Sequence, residues 1–207
     1  MAVWRFVDFC VKETQKLADL TGIAADLQAT ENICDLVLSN SAKQPQDFML
    51  LEALCAAAII RYGRSFGSGV RYSVSDRIKN IINALPKISQ EFHEYFDDLR
   101  DRWIAHSINA FEENIVHAYL TPEERGPRGI SSISVQHQRV ATLDIDHIRI
   151  LRALAAEIRG KIDVLIEEEK KTALEYARSL PADDFYIQVD DPLSGPGGDP
   201  KKRRKAF

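Results

Sequence analysis

A chain of 207 residues that is 45% hydrophobic and 28% charged is long enough to bury a substantial core in one domain, and too apolar to be disordered throughout. Its net charge of −4 excludes a surface that is basic everywhere, while leaving room for a local basic patch. Its three cysteines, Cys10, Cys34 and Cys55, have no metal-ligand spacing and sit in apolar stretches, so all three are expected as buried free thiols.

Arg5, Asp8, Lys12 and Glu13 interrupt the apolar start, which argues against a secretory signal. The best membrane candidate, Met49 to Ile60, contains Glu52 and ends at Arg61. A reducing, cytoplasmic location without a membrane partner is the resulting expectation.

The helical pattern begins at once. Residues 3–21 place Phe6, Phe9, Cys10, Leu17 and Leu20 on one broad face, with Thr21-Gly22 as punctuation. A second helix is expected over Leu27 to Leu38, then a loop from Asn40 to Pro45. Gln46 to Phe66 is the most apolar helix, and its Leu50, Leu51, Leu54, Cys55, Ala58 and Ile59 suggest a central position. Gly67-Ser68-Gly69 breaks the chain without the Lys-Ser/Thr of a phosphate loop. Ser75 reads as the cap of a helix to Leu85, and Pro86 separates it from a long helix over Ile88 to Ala110. Phe92, Tyr95, Phe96, Leu99, Trp103 and Ile104 form the apolar side of that helix.

Asn114 to Leu120 and Ile130 to Leu143 are rich in β-branched residues, and Thr121 to Gly129 between them carries Pro and Gly, the pattern of a β-ribbon. Asp144 caps a last helix to Leu180, with Ile148, Leu151, Leu154, Ile158, Ile162 and Leu165 on its apolar side; the charged Glu167 to Lys171 are expected to face solvent or a partner chain. Pro181 ends the ordered part, and residues 181–207 read as a flexible tail closing on Lys201-Lys202-Arg203-Arg204-Lys205.

The chemistry concentrates in Arg100-Asp101-Arg102-Trp103-Ile104-Ala105-His106. A permanently cationic guanidinium forks onto phosphate oxygens, and an imidazole transfers protons near neutral pH. Together they suffice to cleave RNA: a base takes the ribose 2′-hydroxyl proton, the oxygen attacks phosphorus, and the arginine offsets the developing charge. On an α-helix Arg102 and His106 share a face, whereas Arg100 and His106 lie about 9 Å apart along the axis and about 120° round it.

This segment resembles the signature of HEPN proteins: an arginine, a polar residue, and a histidine after four to six intervening positions. Arg100 fits with five intervening residues, Asp101 fits the polar position, and Arg102, with three, falls outside. The long motif helix, the further long helix and the ribbon between them resemble the abortive-infection branch of that superfamily. The resemblance implies an all-α, HEPN-like helical bundle over residues 1–180, with a small β-ribbon insertion at about 113–143 between the last two long helices. It implies a homodimer through the motif helices, RNA as substrate, no metal and no cofactor. Arg100 would then bind the scissile phosphate, His106 act as general acid or base, and Asp101 orient one of them. The implied role is a metal-independent endoribonuclease in phage defence or a toxin–antitoxin system, held in check by an antitoxin or other inhibitory protein. The alternative is a non-catalytic HEPN-like dimer that binds RNA, nucleotide or protein.

Arg61, Arg64 and Arg71 flank the Gly67-Ser68-Gly69 break. With Arg102 they are candidates to guide RNA phosphates; Arg61 and Arg64 equally suit cations set against a helix C-terminal dipole. Tyr62 beside them suits packing or base stacking. His93, His117, His137 and His147 are scattered without metal spacing, and His93 with Asp97 four residues on gives two groups, too few for a metal site.

Overall fold

The computed structural model describes residues 7–67, 72–105, 112–139 and 142–186. It is mostly helical with one two-stranded antiparallel sheet. Helix α1 spans Gln15–Ser41, α2 Phe48–Arg64, α3 Ser75–Asn83 and α4 Lys87–Leu99; a π-helical turn, Arg100–Ala105, continues α4. The ribbon follows as β1 (Glu112–Leu120) and β2 (Ile130–Arg139), then α5 (Ile145–Ser179) and the short α6 (Ala182–Tyr186).

Helix α1 is the centre of the bundle. Two helices were expected over 3–21 and 27–38, but Thr21 and Gly22 do not interrupt α1. Thr21 turns its hydroxyl back to donate to the Leu17 carbonyl at 2.8 Å, and the buried Leu20, Ile23 and Leu27 on either side hold the segment helical against the cost of an interior glycine. The start is later than expected: 7–11 are not helical, and Thr14 closes a 3-10 turn by donating its hydroxyl to the Phe9 and Val11 carbonyls.

The sequence pattern placed α2 at the centre; the structure places it at the flank. Its Leu51, Cys55, Ala58, Ile59 and Tyr62 are buried, but its first turn is not, and Met49 is 83% exposed. Leu50 also faces outward rather than into the core. The reason lies in α1, whose buried face carries acids as well as Leu20, Ile23, Leu27, Cys34 and Val37. Asp26 accepts from Arg61 Nη1 of α2 at 2.9 Å. Glu31 accepts from Arg159 Nε of α5 at 2.6 Å, and Asp35 from Arg152 Nε at 2.6 Å. The last two pairings run in opposite directions along the sequence, so α1 and α5 are antiparallel. Arg61 and Arg159 hold the buried Asp26 and Glu31 where desolvation would otherwise be costly, while the Asp35–Arg152 pair stays exposed.

Helix α5 follows the expected pattern. Asp144 caps it, accepting from the His147 amide at 2.9 Å, and Ile148, Leu151, Leu154, Ala155, Ile158 and Ile162 are buried. Within the charged stretch expected to face outward, Glu169 turns inward and accepts from Arg77 Nη1 of α3 at 2.7 Å. Helix α3 begins at Ser75 itself, one residue before the expected start, so Val74 and not Ser75 stands at the cap. Just past Pro181, Ala182–Tyr186 form α6, whose Phe185 ring packs 5.3 Å from Phe9; residues 187–207 of the expected tail lie outside the described residues. The basic run 201–205 lies outside the described residues.

In the ribbon Val116 faces Val135 and Ala118 faces Ile133 across the strands. Strand β2 stops at Arg139 rather than Leu143. No helix among the described residues is long and apolar enough to cross a membrane.

The thiols separate into two classes. Cys34 and Cys55 are buried as expected, but Cys10 is exposed, because it lies in the extended segment ahead of α1. Burial pushes the Cys34 thiol up to about 12, and burial also raises Cys55. An aromatic disulfide reagent should therefore modify Cys10 alone in the native protein, with Cys34 and Cys55 reacting only on the time scale of unfolding. Equal rates for all three thiols would contradict this packing.

Candidate functional site

Helix α4 delivers Arg100 to the C-terminal end of α2. The contact depends on a glycine. A Cβ built on Gly63 would lie 2.3 Å from Arg100 Cδ, so only a residue without a side chain lets the arginine lie across α2. The guanidinium is held on several sides. Nη1 donates to the Gly63 carbonyl at 2.9 Å, and Nε and Nη2 both donate to Asp101 Oδ1, Nε at 2.8 Å. Asp97 Oδ1 stands 3.6 Å from Nη1, close enough for charge pairing and too far for a hydrogen bond. The Arg100 side chain remains 25% exposed, so part of its donor surface still faces outward.

The expected motif partners divide. Arg100 and Asp101 are brought together; His106 lies outside the described residues, as do Arg71, Ser68 and Gly69 and the side chains of Trp103 and Ile104. The α-helical geometry expected up to Ala110 holds only to Leu99, because the turn from Arg100 to Ala105 is π-helical. A π turn inside a helix is rare and concentrates at functional sites. It also rotates later residues off the face that an α-helical wheel assigns to them.

The outlying arginines have acidic partners. Arg61 and Arg64 converge on the buried Asp26, at 2.9 and 3.9 Å, which gives them a structural task at the end of α2. Arg102 pairs with Asp98 at 3.5 Å on the exposed side of the motif. Each of these guanidinium groups is about half exposed or more.

Tyr62, His93 and Asp97, read from the sequence as a packing or stacking residue and as a pair too small for a metal site, come together on this face, and sequence reasoning missed that they do so. Tyr62, next to Gly63, is fully buried, and its hydroxyl is 2.8 Å from His93 Nδ1. Burial raises the phenol above its ordinary range, so it keeps its proton. Among the described residues that proton has one hydrogen-bonding acceptor, His93 Nδ1, which assigns the ring proton of neutral His93 to Nε2. Desolvation lowers the His93 pKa from 6.5, against the opposing pull of Asp97 and Glu94, so the ring is neutral at pH 7. His93 also meets the Phe66 ring edge-on at 4.6 Å. His93, Asp97 and Arg100 fall at three- and four-residue spacing on α4, so they share one face. The only sequence signal was that spacing, together with a glycine inside an apolar helix.

A cavity of about 220 Å³ opens beside this face, lined by residues of α1, α3, α4 and the turn after α2 that include His93, Asp97, Phe66 and Lys79. Among the described residues no three His, Cys, Asp or Glu side chains are grouped so as to hold a metal ion.

Two measurements check this arrangement. Gly63→Ala should lower unfolding free energy by roughly 1–3 kcal/mol, because the new methyl drives into Arg100. In an Arg100→Ala background the same change should instead be neutral or stabilising by up to about 1 kcal/mol, from helix propensity. Identical losses in both backgrounds would show that Gly63 does not act through Arg100. For His93 the sign follows from linkage. Its folded pKa lies below the unfolded value of 6.5, so the unfolded chain binds more protons between the two. Stability should therefore fall as pH drops through 6.5 and level off below the folded pKa, and His93→Gln should flatten that part of the denaturation-midpoint profile. No protein-family model, curated protein or solved structure matches this chain, so the side chains themselves carry the functional reading.

Proposed function

We propose that this chain is a HEPN-type endoribonuclease that cleaves RNA without a metal ion, working as a homodimer through its motif helices in phage defence or as the toxin of a toxin–antitoxin pair. The observation that carries the reading is Arg100. It is positioned by Gly63 and Asp101, partly open to solvent, and opens the π-helical turn that leads to His106 with five residues intervening. The mostly helical architecture, with a ribbon between α4 and α5, supports the HEPN-like assignment.

In this mechanism Arg100 holds the scissile phosphate and stabilises the charge that develops on it. His106 takes the proton of the 2′-hydroxyl, whose oxygen attacks phosphorus. The P–O5′ bond breaks, the leaving oxygen is protonated, and a 2′,3′-cyclic phosphate remains. Asp101 is a positioning residue for Arg100. Arg61, Arg64 and Arg102 supply outer phosphate contacts. An inhibitory protein partner restrains the enzyme in its own cell.

A second reading draws on the same bonds. The donors of Arg100 that meet Gly63, Asp101 and Asp97 can serve structure alone, in a non-catalytic dimer that binds RNA, nucleotide or protein.

Purified protein incubated with cellular RNA in excess EDTA separates the two. Cleavage that leaves 2′,3′-cyclic phosphate ends is expected. Arg100→Ala should slow it by about 10²–10³ and His106→Ala by about 10²–10⁴. A folded dimer that binds RNA without cutting it would favour the second reading.

A further inference from the structure

The cavity beside Arg100 has a composition that the cleavage chemistry does not use. Its walls include Ile23, Phe66, Ile78 and Ile82, and its polar groups include His93 and Asp97. Asp97 Oδ1 is a buried side-chain oxygen without a hydrogen-bond partner. A carboxylate oxygen in that condition is short of a donor. His93 supplies a donor of its own, since the Tyr62 hydroxyl occupies Nδ1 and leaves the proton on Nε2. Lys79 adds a cation at the cavity wall.

The Arg100 guanidinium stands at the cavity's edge. Two of the lining residues place it there: Asp97 Oδ1 is 3.6 Å from Nη1, and a Cβ on Gly67 would be 3.7 Å from the same nitrogen. A phosphate held by Arg100 would therefore have its neighbouring base within reach of the cavity. A cavity of about 150 Å³ accommodates benzene. The present 220 Å³ admits a bicyclic base.

The chemistry of the bases narrows the choice. A carboxylate accepts two hydrogen bonds side by side. On the Watson–Crick edge guanine alone presents two adjacent donors, N1–H and the 2-amino group, followed by an acceptor at O6. Adenine and cytosine each place a ring-nitrogen acceptor beside their amino group, which would repel Asp97. Uracil offers one donor between two acceptors. A slot of mixed walls, with a carboxylate oxygen short of a hydrogen-bond donor and a donor nearby, is complementary to guanine, and single-stranded RNA is read by splayed bases in such slots.

We infer that the cavity between α3, α4 and the turn after α2 is a guanine-recognition site, in which Asp97 accepts from the base's N1–H and 2-amino groups, and His93 or Lys79 donates to O6, next to the phosphate held by Arg100. This rests on the ribonuclease reading for its place beside the scissile phosphate, but the binding itself can be measured without cleavage.

The test is calorimetric titration of the full chain with the 3′- and 5′-monophosphates of guanosine, adenosine, cytidine and uridine. Guanosine monophosphate should bind at least about tenfold tighter than the other three, the discrimination expected of one bidentate pair. Asp97→Asn, which puts a donor or a single acceptor where two acceptors stood, should erase that preference. Ile82→Trp, which fills the slot from α3, should weaken guanosine monophosphate binding by a similar factor and keeps the inference open to test if the Asp97 variant does not fold. Equal affinity for the four nucleotides, no binding of guanosine monophosphate, or a guanine preference that survives in either folded variant would overturn the inference. Guanine preference without RNA cleavage would sink the ribonuclease reading and leave this site standing. RNA cleavage by a protein with no guanine preference would do the reverse.

Discussion

Acidic residues buried on α1 set the architecture. Asp26 and Glu31 leave water on folding, and such groups are tolerated only where a cation meets them. Arg61 comes from α2 and Arg159 from α5, so the requirement to neutralise α1 fixes which helix lies on each side of it. The surrounding Leu20, Ile23, Leu27, Ile148, Leu151 and Ile158 supply the apolar burial, but a uniform apolar surface would allow the helices to slide. The carboxylate–arginine forks act as register marks. They also make α1 look less amphipathic than a surface helix, because both its apolar and some of its charged positions are inside.

From that frame α2 presents two consecutive residues to α4. Tyr62 reaches His93 with its hydroxyl, and Gly63 receives Arg100 at its bare backbone. One contact needs a large side chain and the next needs none. The pair aligns α4 so that His93, Asp97 and Arg100 face the cavity and the end of α2 together. Any shift of α4 along its axis would break the phenol–imidazole bond and the arginine–carbonyl bond at once. The arginine's position is thus a property of helix packing rather than of its own flexible chain, which lowers the entropy lost when it engages an anion.

Much of the architecture could be read along the chain because it is local. The β-branched stretches at 114–120 and 130–143, within which β2 stops at Arg139, the Asp144 cap and the apolar stripe of α5 each depend on residues a few positions apart. The errors come where distant residues decide. Thr21-Gly22 has the composition of a break, yet the buried neighbours of α1 override it. Leu50 has the composition of a core residue, yet it lies on the outer side of α2, away from the buried Leu51. In the candidate site the arginine and its adjacent aspartate stand out by residue type and by the motif they resemble. Gly63, thirty-seven residues away, could not, because what marks it is the arginine lying against it.

The π-helical turn bears on how such a site is assembled. An α-helix continued from Leu99 would set the motif residues at fixed 100° steps, and the arginine and the residue six positions on would diverge by about 120°. The wider turn from Arg100 to Ala105 abandons that spacing at the residue where the arginine leaves the helix for Gly63. Two demands meet there. Leu99 must remain in the core, being buried against the bundle, while Arg100, the next residue, must cross α2 with its head partly in water. Adjacent residues on a regular α-helix point about 100° apart, so Leu99 can stay in the core while Arg100 lies across α2. The change of winding thus begins at the same residue whose close approach Gly63 permits.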